Sequence, residues 1–406
     1  MAEDGGQNNG SGSDRLGALS DLRTIELGQL IAGPFCGQLM ADHGCEVIKV
    51  EPPKVGDAMR AWGRTDPLWW PVVARNKKCI TLNLREEAGQ AILKELVGDA
   101  DFLLENFRPG TMERWNLGYD QLSAVNRGLI MIRVSGYGQT GPYSPRAGYG
   151  GIGEAMGGLR NLSGDPSAPP SRVGISIGDS LAATFACLGA MMALHHRERT
   201  GEGQIIDSAI YEAVLAMMES LIPEYTETGF IRERTGSVLP KVAPSNVYPT
   251  SDGDVLIGAN QDSVFKRLCT AMERPDMAGD DRYATHKGRG DNQAELDEII
   301  AGWTRELTTD AVLAKMEEHG IPAGKIFKAP DMLADPHFAA RDAIIQVAHH
   351  HYQNLKMQNV FPKLSGTPGG VAWAGPELGQ HNEEVYGGLM GMSAGDMADL
   401  KEKGII

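Results

Sequence analysis

A carboxylate stands at the start of the most apolar stretch of this chain. Asp179 follows the segment V-G-I-S-I-G and lies just before the longest apolar run, Leu181 to Leu194. An aspartate in this place can cap the amino terminus of a helix, which is a common role for the residue type. It can also act as a nucleophile, because the amino end of a helix favours the ionised carboxylate and no general base is then needed. The local sequence leaves both interpretations open.

Basic residues concentrate near the ends of segments with strand character. The chain has 38 Lys and Arg against 53 Asp and Glu, a formal net charge of −15, so no overall field attracts nucleic acid or an anionic membrane. An anionic ligand must therefore meet a local cluster. A pyrophosphate-binding rim and a set of surface ion pairs both fit the cluster, because acidic residues alternate with it. Its members are Arg75, Lys77, Lys78, Arg85, Arg108 and Arg114, and the acidic residues are Glu86, Glu87 and Glu105.

Two further patterns suggest ligand sites but lack the right context. The spacing Gly148-x-Gly150-x-x-Gly153 matches a dinucleotide fingerprint, but that motif needs a strand directly before it and none is predicted there. We expect instead a glycine-rich loop that brings a ligand close to the backbone. Residues 349–351 are three histidines, but no carboxylate or cysteine is suitably spaced, and successive strand residues point to opposite faces. We expect a turn there and no metal site.

Apolar, β-rich runs alternate with helical segments in the first half of the chain. Strands recurring with intervening helices predict an open, largely parallel α/β sheet. Ligands on such sheets bind in loops beyond the carboxyl ends of the strands, so those loops are the expected site. The predicted strands are Arg23–Leu27, Glu46–Glu51, Cys79–Leu84, Asp101–Asn106, Leu129–Ser135 and Gln204–Asp207.

The length of 406 residues is too great for one core of ordinary size, so two domains are predicted. Residues 1–17, polar and rich in Gly and Ser, are expected to form a disordered tail. A large α/β domain is predicted over 18–224, and a smaller α+β domain over 225–330, where turn signals and charged helices begin. Residues 331–406 are expected to return and complete the large domain.

Composition also bounds the setting of the protein. The five cysteines are odd in number and have no C-x-x-C spacing, which favours a reducing compartment over a disulfide framework or a zinc site. The amino terminus lacks the basic start and apolar stretch of a secretion signal, so we expect a cytoplasmic protein. The run Leu181 to Leu194 is too short to span a bilayer. It is expected to be a buried helix, and no membrane contact is predicted.

Motifs along nearly the whole chain resemble those of the class III coenzyme A transferases, the family of formyl-CoA and carnitine-CoA transferases. The likeness runs from about Leu19 to the carboxyl end. The resemblance implies a Rossmann-like sheet domain, a smaller domain and an interlocked homodimer in which each chain threads its partner. The motifs are I-A-G-P, A-D-H-G-C-E-V-I-K-V-E-P-P, G-D-A-M-R, R-N-K-K-C-I-T-L-N-L-R, E-N-F-R-P-G, S-G-Y-G-Q-T-G-P, I-G-D-S, R-T-G-E-G-Q, G-I-P-A-G and L-G-Q-H, in the family's order.

By this resemblance Asp179 matches the family's catalytic aspartate, which favours the nucleophile over the helix cap. A carboxylate that attacks an acyl-CoA thioester forms a mixed anhydride and keeps the acyl group activated. The released CoA thiolate then forms an aspartyl thioester, and the acceptor acid collects CoA through a second anhydride. A CoA thioester is therefore expected as a substrate, with no permanently bound cofactor and no metal.

Further positions match contacts of the family with CoA or with the acyl group. Trp69 matches an aromatic position near the substrate, and Gly150 replaces an acidic residue that formyl-CoA enzymes carry beside the reacting centre. Pro52 stands where those enzymes have an arginine, which puts one phosphate contact in doubt. The implied CoA contacts are Ile31, Ala32, Leu82, Asn83, Leu84, Arg85, Asn106, Phe107, Arg108, Arg114 and Tyr149.

Overall likeness to the dicarboxylate-using branch predicts small acids as substrates, such as succinate with malate, mesaconate, itaconate or glutarate. Three cations, Arg60, Arg64 and Arg75, are available to pair with a distal carboxylate, and Arg60 is assigned to the substrate pocket. An α-methylacyl-CoA racemase of the same fold is the closest alternative, and those enzymes carry a histidine where this chain has Tyr149. Phenols, with a pKa of about 10, are poor bases at neutral pH, so the transferase is favoured. A non-catalytic acyl-CoA-binding protein is the second alternative.

Overall fold

The computed structural model describes residues 17–406, so all but the last residue of the predicted tail over 1–17 lies outside the described residues. Strands and helices alternate through the first half, as expected. The strands are β1 (Arg23–Glu26), β2 (Glu46–Glu51), β3 (Lys77–Thr81), β4 (Phe102–Glu105), β5 (Ile130–Ser135), β6 (Ile205–Ala209), β7 (Ser245–Pro249), β8 (Asp254–Gly258), β9 (Ala323–Lys325), β10 (Ile344–Val347) and β11 (Leu355–Gln358). The helices are α1 (Ala32–Asp42), α2 (Trp69–Val73), α3 (Glu87–Gly98), α4 (Thr111–Arg114), α5 (Tyr119–Ser123), α6 (Gly150–Met156), α7 (Leu159–Leu162), α8 (Ile177–Thr200), α9 (Ile210–Leu215), α10 (Leu221–Thr228), α11 (Asp262–Ala271), α12 (His286–Asp291), α13 (Gln293–Arg305), α14 (Thr309–Glu318), α15 (Ala329–Ala334), α16 (Pro336–Ala340) and α17 (Ala394–Glu402). Short 3₁₀ helices cover Ala58–Ala61 and Pro275–Gly279, and a π-helix covers Glu383–Leu389.

Six parallel strands form one sheet in the order β3-β2-β1-β4-β5-β6. Ile25 in β1 pairs with Ile48 in β2 on one side and with Leu103 in β4 on the other, so fully buried aliphatic residues occupy the centre. The predicted α/β class and parallel sheet are thereby confirmed. The order reverses between β1 and β4, and ligands of doubly wound sheets bind in the crevice that opens beyond the carboxyl ends of such a pair.

Both faces of the sheet are covered by helices. Side chains of β4 divide between two cores, with Leu103 in one and its neighbours Phe102 and Leu104 in the other, because successive strand residues point to opposite faces. Helices α1 and α8 cover the face of Phe102, and α3 covers the face of Leu103 through residues such as Leu93. Ile406 also packs into the core that contains Leu103. Burial on both sides holds the strand ends, and the loops after them, in place.

Helix α8, with 24 residues, is buried along one side only. The prediction of a buried helix is therefore wrong for its other side, where Phe185, Leu188 and Met192 are 36%, 49% and 63% exposed in the described chain. By length and composition alone the helix could cross a membrane, but core helices of water-soluble proteins satisfy the same criteria. Small residues let α8 approach the sheet and α1 closely, and those fully or nearly fully buried are Ala182, Ala183, Ala186, Ala190 and Ala193.

The chain divides into two compact units. The first comprises the described residues up to Leu159, Val173–Glu219 and Ala340–Ile406, and contains the six-stranded sheet and the β10–β11 hairpin. The second comprises Arg160–Arg172 and Ser220–Ala339, and contains the antiparallel sheet β7-β8-β9 with its own core.

The segment Arg160–Arg172 lies in the second unit, although the sequence placed it in the large domain. Gly164 accepts a hydrogen bond from the N–H of Gly236 at 3.1 Å, and the carbonyl of Asn161 accepts one from Arg234 at 3.1 Å. These partners lie about seventy residues further along the chain, so no local pattern reports them.

Candidate active site

Asp179 lies half-buried at the amino end of α8 and lines a cavity of about 160 Å³. Ser176 occupies the N-cap of the helix, so the interpretation of Asp179 as the helix cap is wrong, and its side chain belongs to the first turn. In that position the helix favours the ionised carboxylate that a nucleophile requires. The other lining residues are Gln29, Leu30, Ile31, Ala32, Trp62, Asn106, Val134, Ser135, Gly136, Gly148, Tyr149, Gly150, Ser176 and Ile210.

Gly150 lies directly against the Asp179 carboxylate. A Cβ atom added at this position would stand 2.1 Å from Oδ2 and 2.7 Å from Cγ of Asp179, which is far inside van der Waals contact. Any side chain at 150 would therefore displace the carboxylate from its present position. The structure thus places Gly150, assigned to the substrate pocket from the sequence, beside the predicted nucleophile, where an acidic side chain would not fit with Asp179 as it stands.

The remaining glycines of the Gly148-x-Gly150-x-x-Gly153 spacing serve packing. Helix α6 begins at Gly150 and is preceded by a loop that starts after β5 ends at Ser135, so the strand that a dinucleotide site needs is not adjacent. A Cβ at Gly153 would meet Ile210 at 2.5 Å, so the glycine permits close contact between α6 and α9. Gly148 approaches the backbone of Gly136 equally closely, which fits the expected glycine-rich loop.

The loops after β1 and β4 meet at the point where the strand order reverses. The Asn106 side chain accepts a hydrogen bond from the N–H of Gln29 at 2.7 Å and donates one to the carbonyl of Gln29 at 2.8 Å. Predicted CoA contacts Ile31, Ala32 and Asn106 therefore lie together beside Asp179. The cavity occupies the location that the topology favours for a ligand.

A second, larger cavity of about 630 Å³ holds most of the other predicted CoA contacts. Gln29 lines both cavities, so the two adjoin along the loop after β1. Pro52 lines this cavity, and so does Lys54 two residues later, which sequence analysis missed. Lys54 brings an exposed cation close to the position where formyl-CoA enzymes are expected to carry an arginine. The predicted residues in this cavity are Leu82, Asn83, Leu84, Arg85 and Phe107.

The basic cluster separates into two sets. Arg75, Lys77 and Lys78 form ion pairs with Asp42, Glu26 and Glu46, so the ion-pair interpretation holds for them. Exposed guanidinium groups make up the other set, and these can face a pyrophosphate. The members of this second set are Arg85, Arg108 and Arg114. Arg85 lines the larger cavity, whereas Arg108 and Arg114 line neither cavity.

Arg60 is not free to bind a substrate carboxylate, which corrects its assignment to the substrate pocket. Its Nε and NH2 each donate to Glu51 at 2.7 Å, its NH1 donates to the carbonyl of Pro376 at 3.0 Å, and its guanidinium stacks on Trp70 at 3.8 Å. Arg75 is 2% exposed and paired with Asp42, so it is excluded for the same reason. The partners are distant in sequence, so the pattern could not show that these cations are engaged.

Trp62, rather than the predicted Trp69, lines the Asp179 cavity. Trp69 packs edge-on against Trp62 with ring centroids 5.5 Å apart, so it contacts a residue that lines the cavity. The motif G-D-A-M-R directly before Trp62 was recognised in the sequence, but the aromatic residue two positions beyond it was not singled out. Arg64, the third candidate cation, is exposed and lies two residues after Trp62.

A buried carboxylate supports the predicted CoA contact Phe107. Glu105, 1% exposed, accepts the N–H of Phe107 at 2.7 Å and pairs with Arg133 at 2.7 Å. Burial raises the pKa of Glu105 to about 6, although Arg133 opposes the shift. The folded protein therefore binds this proton more tightly than the unfolded chain does.

Stability from Glu105 is consequently present at low pH and is lost as the pH rises through about 6. The quantity measured is the free energy of unfolding of the wild type minus that of Glu105→Gln, from urea denaturation. We expect this difference to fall by about 2 kcal/mol between pH 4.5 and pH 7. Glu113→Gln is the control, because the hydrogen bond from Arg133 lowers the pKa of Glu113. The free energy of unfolding of the wild type minus that of Glu113→Gln should therefore grow as the pH rises. A Glu105 difference that also grows with pH would contradict the assignment.

A carboxylate does approach the histidine run, contrary to expectation. The ligand atoms of His350, His351 and Glu377 lie within 4.8 Å of one another and could together hold a metal ion. All three side chains are exposed, and His350 is already hydrogen-bonded to Glu377, as in an ordinary surface ion pair. No member of this group lines the Asp179 cavity.

Comparison with known proteins gives consistent matches over nearly the full length. A family model described as CoA-transferase family III matches residues 19–382. Succinyl-CoA–D-citramalate CoA-transferase of Chloroflexus aurantiacus is 60% identical over 393 residues, covering 96% of this chain and 98% of that protein. The succinyl-CoA–L-malate CoA-transferase beta subunit of the same organism is 41% identical over 396 residues, covering 96% and 98%. The crystal structure of a CaiB/BaiF family protein from Brucella suis superposes with a TM-score of 0.83 at 32% identity, covering 92% of this chain and 100% of that one.

Proposed function

Since this chain belongs to CoA-transferase family III, we propose that it moves coenzyme A from succinyl-CoA to a second small dicarboxylic acid, with D-citramalate as the first candidate acceptor. The resemblance drawn from the sequence motifs is confirmed, and the enzyme is a CoA-transferase that uses CoA thioesters as substrates. The choice of acceptor is supported by the relative that shares 60% of its residues with this chain.

The observation that carries the mechanism is the Asp179 carboxylate at the amino end of α8, facing a cavity lined by predicted CoA contacts. Attack of a carboxylate oxygen on the thioester carbonyl breaks the C–S bond, forms a mixed anhydride and releases CoA thiolate. The thiolate then attacks the aspartyl carbonyl of the anhydride, which forms an aspartyl-CoA thioester and frees the donor acid. The acceptor acid repeats these two steps in reverse and leaves as its CoA thioester.

The two adjoining cavities suit a long substrate with a charged end. We infer that the nucleotide lies in the larger cavity, where Arg85 and Lys54 are exposed to its phosphates, and that the thioester reaches Asp179 along the loop after β1. Each tetrahedral intermediate carries an oxyanion, which needs donors already in place. Backbone N–H groups of the glycine-rich loop around Gly148 and Gly150 are the candidates.

A distal carboxylate on the acyl group needs a cation near the Asp179 cavity. Arg60 and Arg75 are held by other partners, so Arg64 is the remaining member of the three arginines first considered. Its place two residues after Trp62, a wall of the cavity, supports this role. We assign the distal carboxylate to Arg64.

The acceptor is tested with succinyl-CoA and a panel of acids, with products separated by chromatography. D-citramalate, L-citramalate, malate, mesaconate, itaconate and glutarate are compared with propionate, which lacks the second carboxylate. We expect the highest kcat/KM with D-citramalate and essentially none with propionate. Transfer to monocarboxylic acids alone would contradict the dicarboxylate proposal.

The racemase alternative is distinguished by incubation of a 2-methylacyl-CoA in deuterated water. Proton transfer would introduce deuterium at the α-carbon, whereas CoA transfer leaves that carbon untouched. We expect no deuterium incorporation under conditions in which CoA exchange is rapid.

We also propose that the enzyme is a homodimer whose interface includes the exposed side of α8. Phe185, Leu188 and Met192 recur at helical spacing and form an apolar stripe on this side. Large exposed apolar patches of this kind mark interaction surfaces. A second copy of the chain is the occupant that the family resemblance implies.

Introducing two carboxylates into this stripe should prevent self-association, since an unpaired charge in an apolar interface costs several kcal/mol. We expect the wild type to run as a dimer in size-exclusion chromatography with light scattering, and Leu188→Asp combined with Met192→Asp to shift it to monomer. Glu198→Lys, on an exposed position of the same helix, is the control and should stay dimeric. A monomeric wild type would contradict the proposal, as would a dimeric double variant.

A further inference from the structure

The loop between β1 and α1, residues 28–31, has a backbone conformation that its own side chains disfavour. Leu30 adopts a φ of 62°, in the left-handed region that leucine rarely enters. Gln29, Leu30 and Ile31 line the Asp179 cavity, so this loop is part of its wall. A disfavoured conformation persists only where surrounding groups hold it.

Asp57 holds the strained residue directly. Its carboxylate oxygens lie 3.1 and 3.2 Å from the backbone nitrogen of Leu30, which donates to both, and Oδ1 also accepts the N–H of Met59 at 2.9 Å. Asp57 is fully buried, so water does not compete for these bonds. The position of the Leu30 N–H therefore follows the position of this carboxylate.

Lys49 holds the start of the same loop. Its ammonium donates to the carbonyl of Gly28 and pairs with Oδ2 of Asp57 at 2.9 Å, with Glu26 at 3.4 Å. Burial lowers the pKa of Lys49, but the neighbouring carboxylates, led by Asp57, outweigh it and the pKa is raised overall. One buried ion pair thus holds a carbonyl at residue 28 and an N–H at residue 30.

Neither Lys49 nor Asp57 lines either of the two cavities, so the pair reaches the reaction only through the loop. Lys49 is 1% exposed and Asp57 is fully buried. Burying an ion pair is costly, and replacing such pairs with apolar residues is often neutral or stabilising. Fold stability alone therefore does not explain well why an ion pair is buried against this loop.

On the premise of the proposed transferase function, we propose that Lys49 and Asp57 are positioning residues for CoA transfer. The pair keeps residues 28–31 in the conformation in which Gln29, Leu30 and Ile31 form part of the wall of the Asp179 cavity. Without it, Leu30 relaxes to a negative φ and the wall moves relative to the acyl group. A displacement of about 1 Å at a reacting centre costs about 100-fold in rate.

The test combines Asp57→Asn and Lys49→Gln, each alone and together with Leu30→Gly. We expect each single variant to lower kcat for transfer from succinyl-CoA by about 100-fold. The dissociation constant of CoA from calorimetry should change much less than kcat, because the predicted contacts Leu82, Arg85 and Phe107 lie outside the loop. Glycine adopts a positive φ without restraint. In the Leu30→Gly background the same substitutions should therefore cost about 10-fold or less, a coupling that general structural damage would not produce.

Asp42→Asn is the matched control, because Asp42 and Arg75 form a buried ion pair of the same unit, 3% and 2% exposed. It should lower Tm and leave kcat unchanged. If Asp57→Asn does not fold, the comparison is made with Lys49→Gln, alone and together with Leu30→Gly. The proposal is overturned if both variants keep wild-type kcat, or if their loss is the same in both backgrounds. CoA transfer by the wild type is measured first. Absence of transfer there would refute the proposed function and not the positioning role.

Discussion

Replacing Asp179 by alanine should abolish CoA transfer while leaving CoA binding nearly intact. In the proposed mechanism every covalent intermediate forms on Asp179, and loss of a nucleophile lowers kcat by about 10⁴-fold or more. Predicted CoA contacts such as Leu82, Arg85 and Phe107 line a separate cavity, so the nucleotide keeps its partners. The measurements are kcat for exchange between succinyl-CoA and D-citramalate, and the dissociation constant of CoA by calorimetry.

The control is Asp165→Ala, which removes an aspartate that is exposed and lies in the second unit. It should retain wild-type kcat and CoA affinity. Unchanged exchange in Asp179→Ala would remove this side chain from the mechanism. Loss of CoA binding together with loss of exchange would assign it to substrate binding instead.

Gly150→Ala should lower kcat by about 100-fold, because it moves the proposed nucleophile, Asp179, without removing it. The added methyl would stand 2.1 Å from Oδ2 of Asp179, so the carboxylate must leave its present position. We expect KM for succinyl-CoA to change much less than kcat, since the larger cavity, with the predicted CoA contacts Leu82, Arg85 and Phe107, is not lined by Gly150. A steady-state comparison of the two constants measures this difference.

Gly302→Ala is the matched control, since an added Cβ at Gly302 in α13 would meet no atom of the described residues within 4 Å beyond its chain neighbours and its own helix backbone. The same substitution there should leave kcat unchanged and slightly favour the helix. Wild-type kcat in Gly150→Ala would show that the carboxylate tolerates displacement, which would contradict the geometry assigned to the site.

The large sheet could be predicted because its strands are encoded locally. The predicted span Glu46–Glu51 coincides with β2, and that of Leu129–Ser135 begins one residue before β5. Buried parallel strands are nearly continuous apolar runs, and turn residues bound them. The order of the strands is harder to predict from the sequence, because it depends on contacts between segments that are distant in the chain. Their alternation with helices was enough to predict a parallel sheet.

The site was predictable where its residues follow strand or helix ends. Asp179 stands at the start of α8 and was singled out from that position, whereas Asn106, directly after β4, was assigned through the family resemblance. The engagement of Arg60 was not predictable, since one of its partners, Pro376, lies 316 residues away. For Arg75, the acidic residues close in sequence suggested ion pairs, but its partner is Asp42. Contacts between distant segments decide which cations stay free for a ligand.

Proximity across the fold also explains the residues that were missed. Lys54 follows directly after one recognised motif and Trp62 lies two residues after another, but only the fold shows that they line the two cavities. In the sequence, Lys49 is only one of three charged residues in the strand E-V-I-K-V-E. Its role becomes visible only when Gly28 and Asp57 are brought to its ammonium group.

The most direct measurement is chemical trapping of the enzyme during turnover. Wild-type enzyme is mixed with succinyl-CoA, quenched with hydroxylamine or borohydride, digested and mapped by mass spectrometry, with enzyme and CoA alone as the control. Hydroxylamine converts an aspartyl anhydride or thioester to a hydroxamate, and borohydride reduces the thioester to an alcohol. The predicted result is one modified peptide, altered at Asp179 and seen only with the thioester substrate. A modification at another residue, or none while CoA exchange is running, would contradict the account.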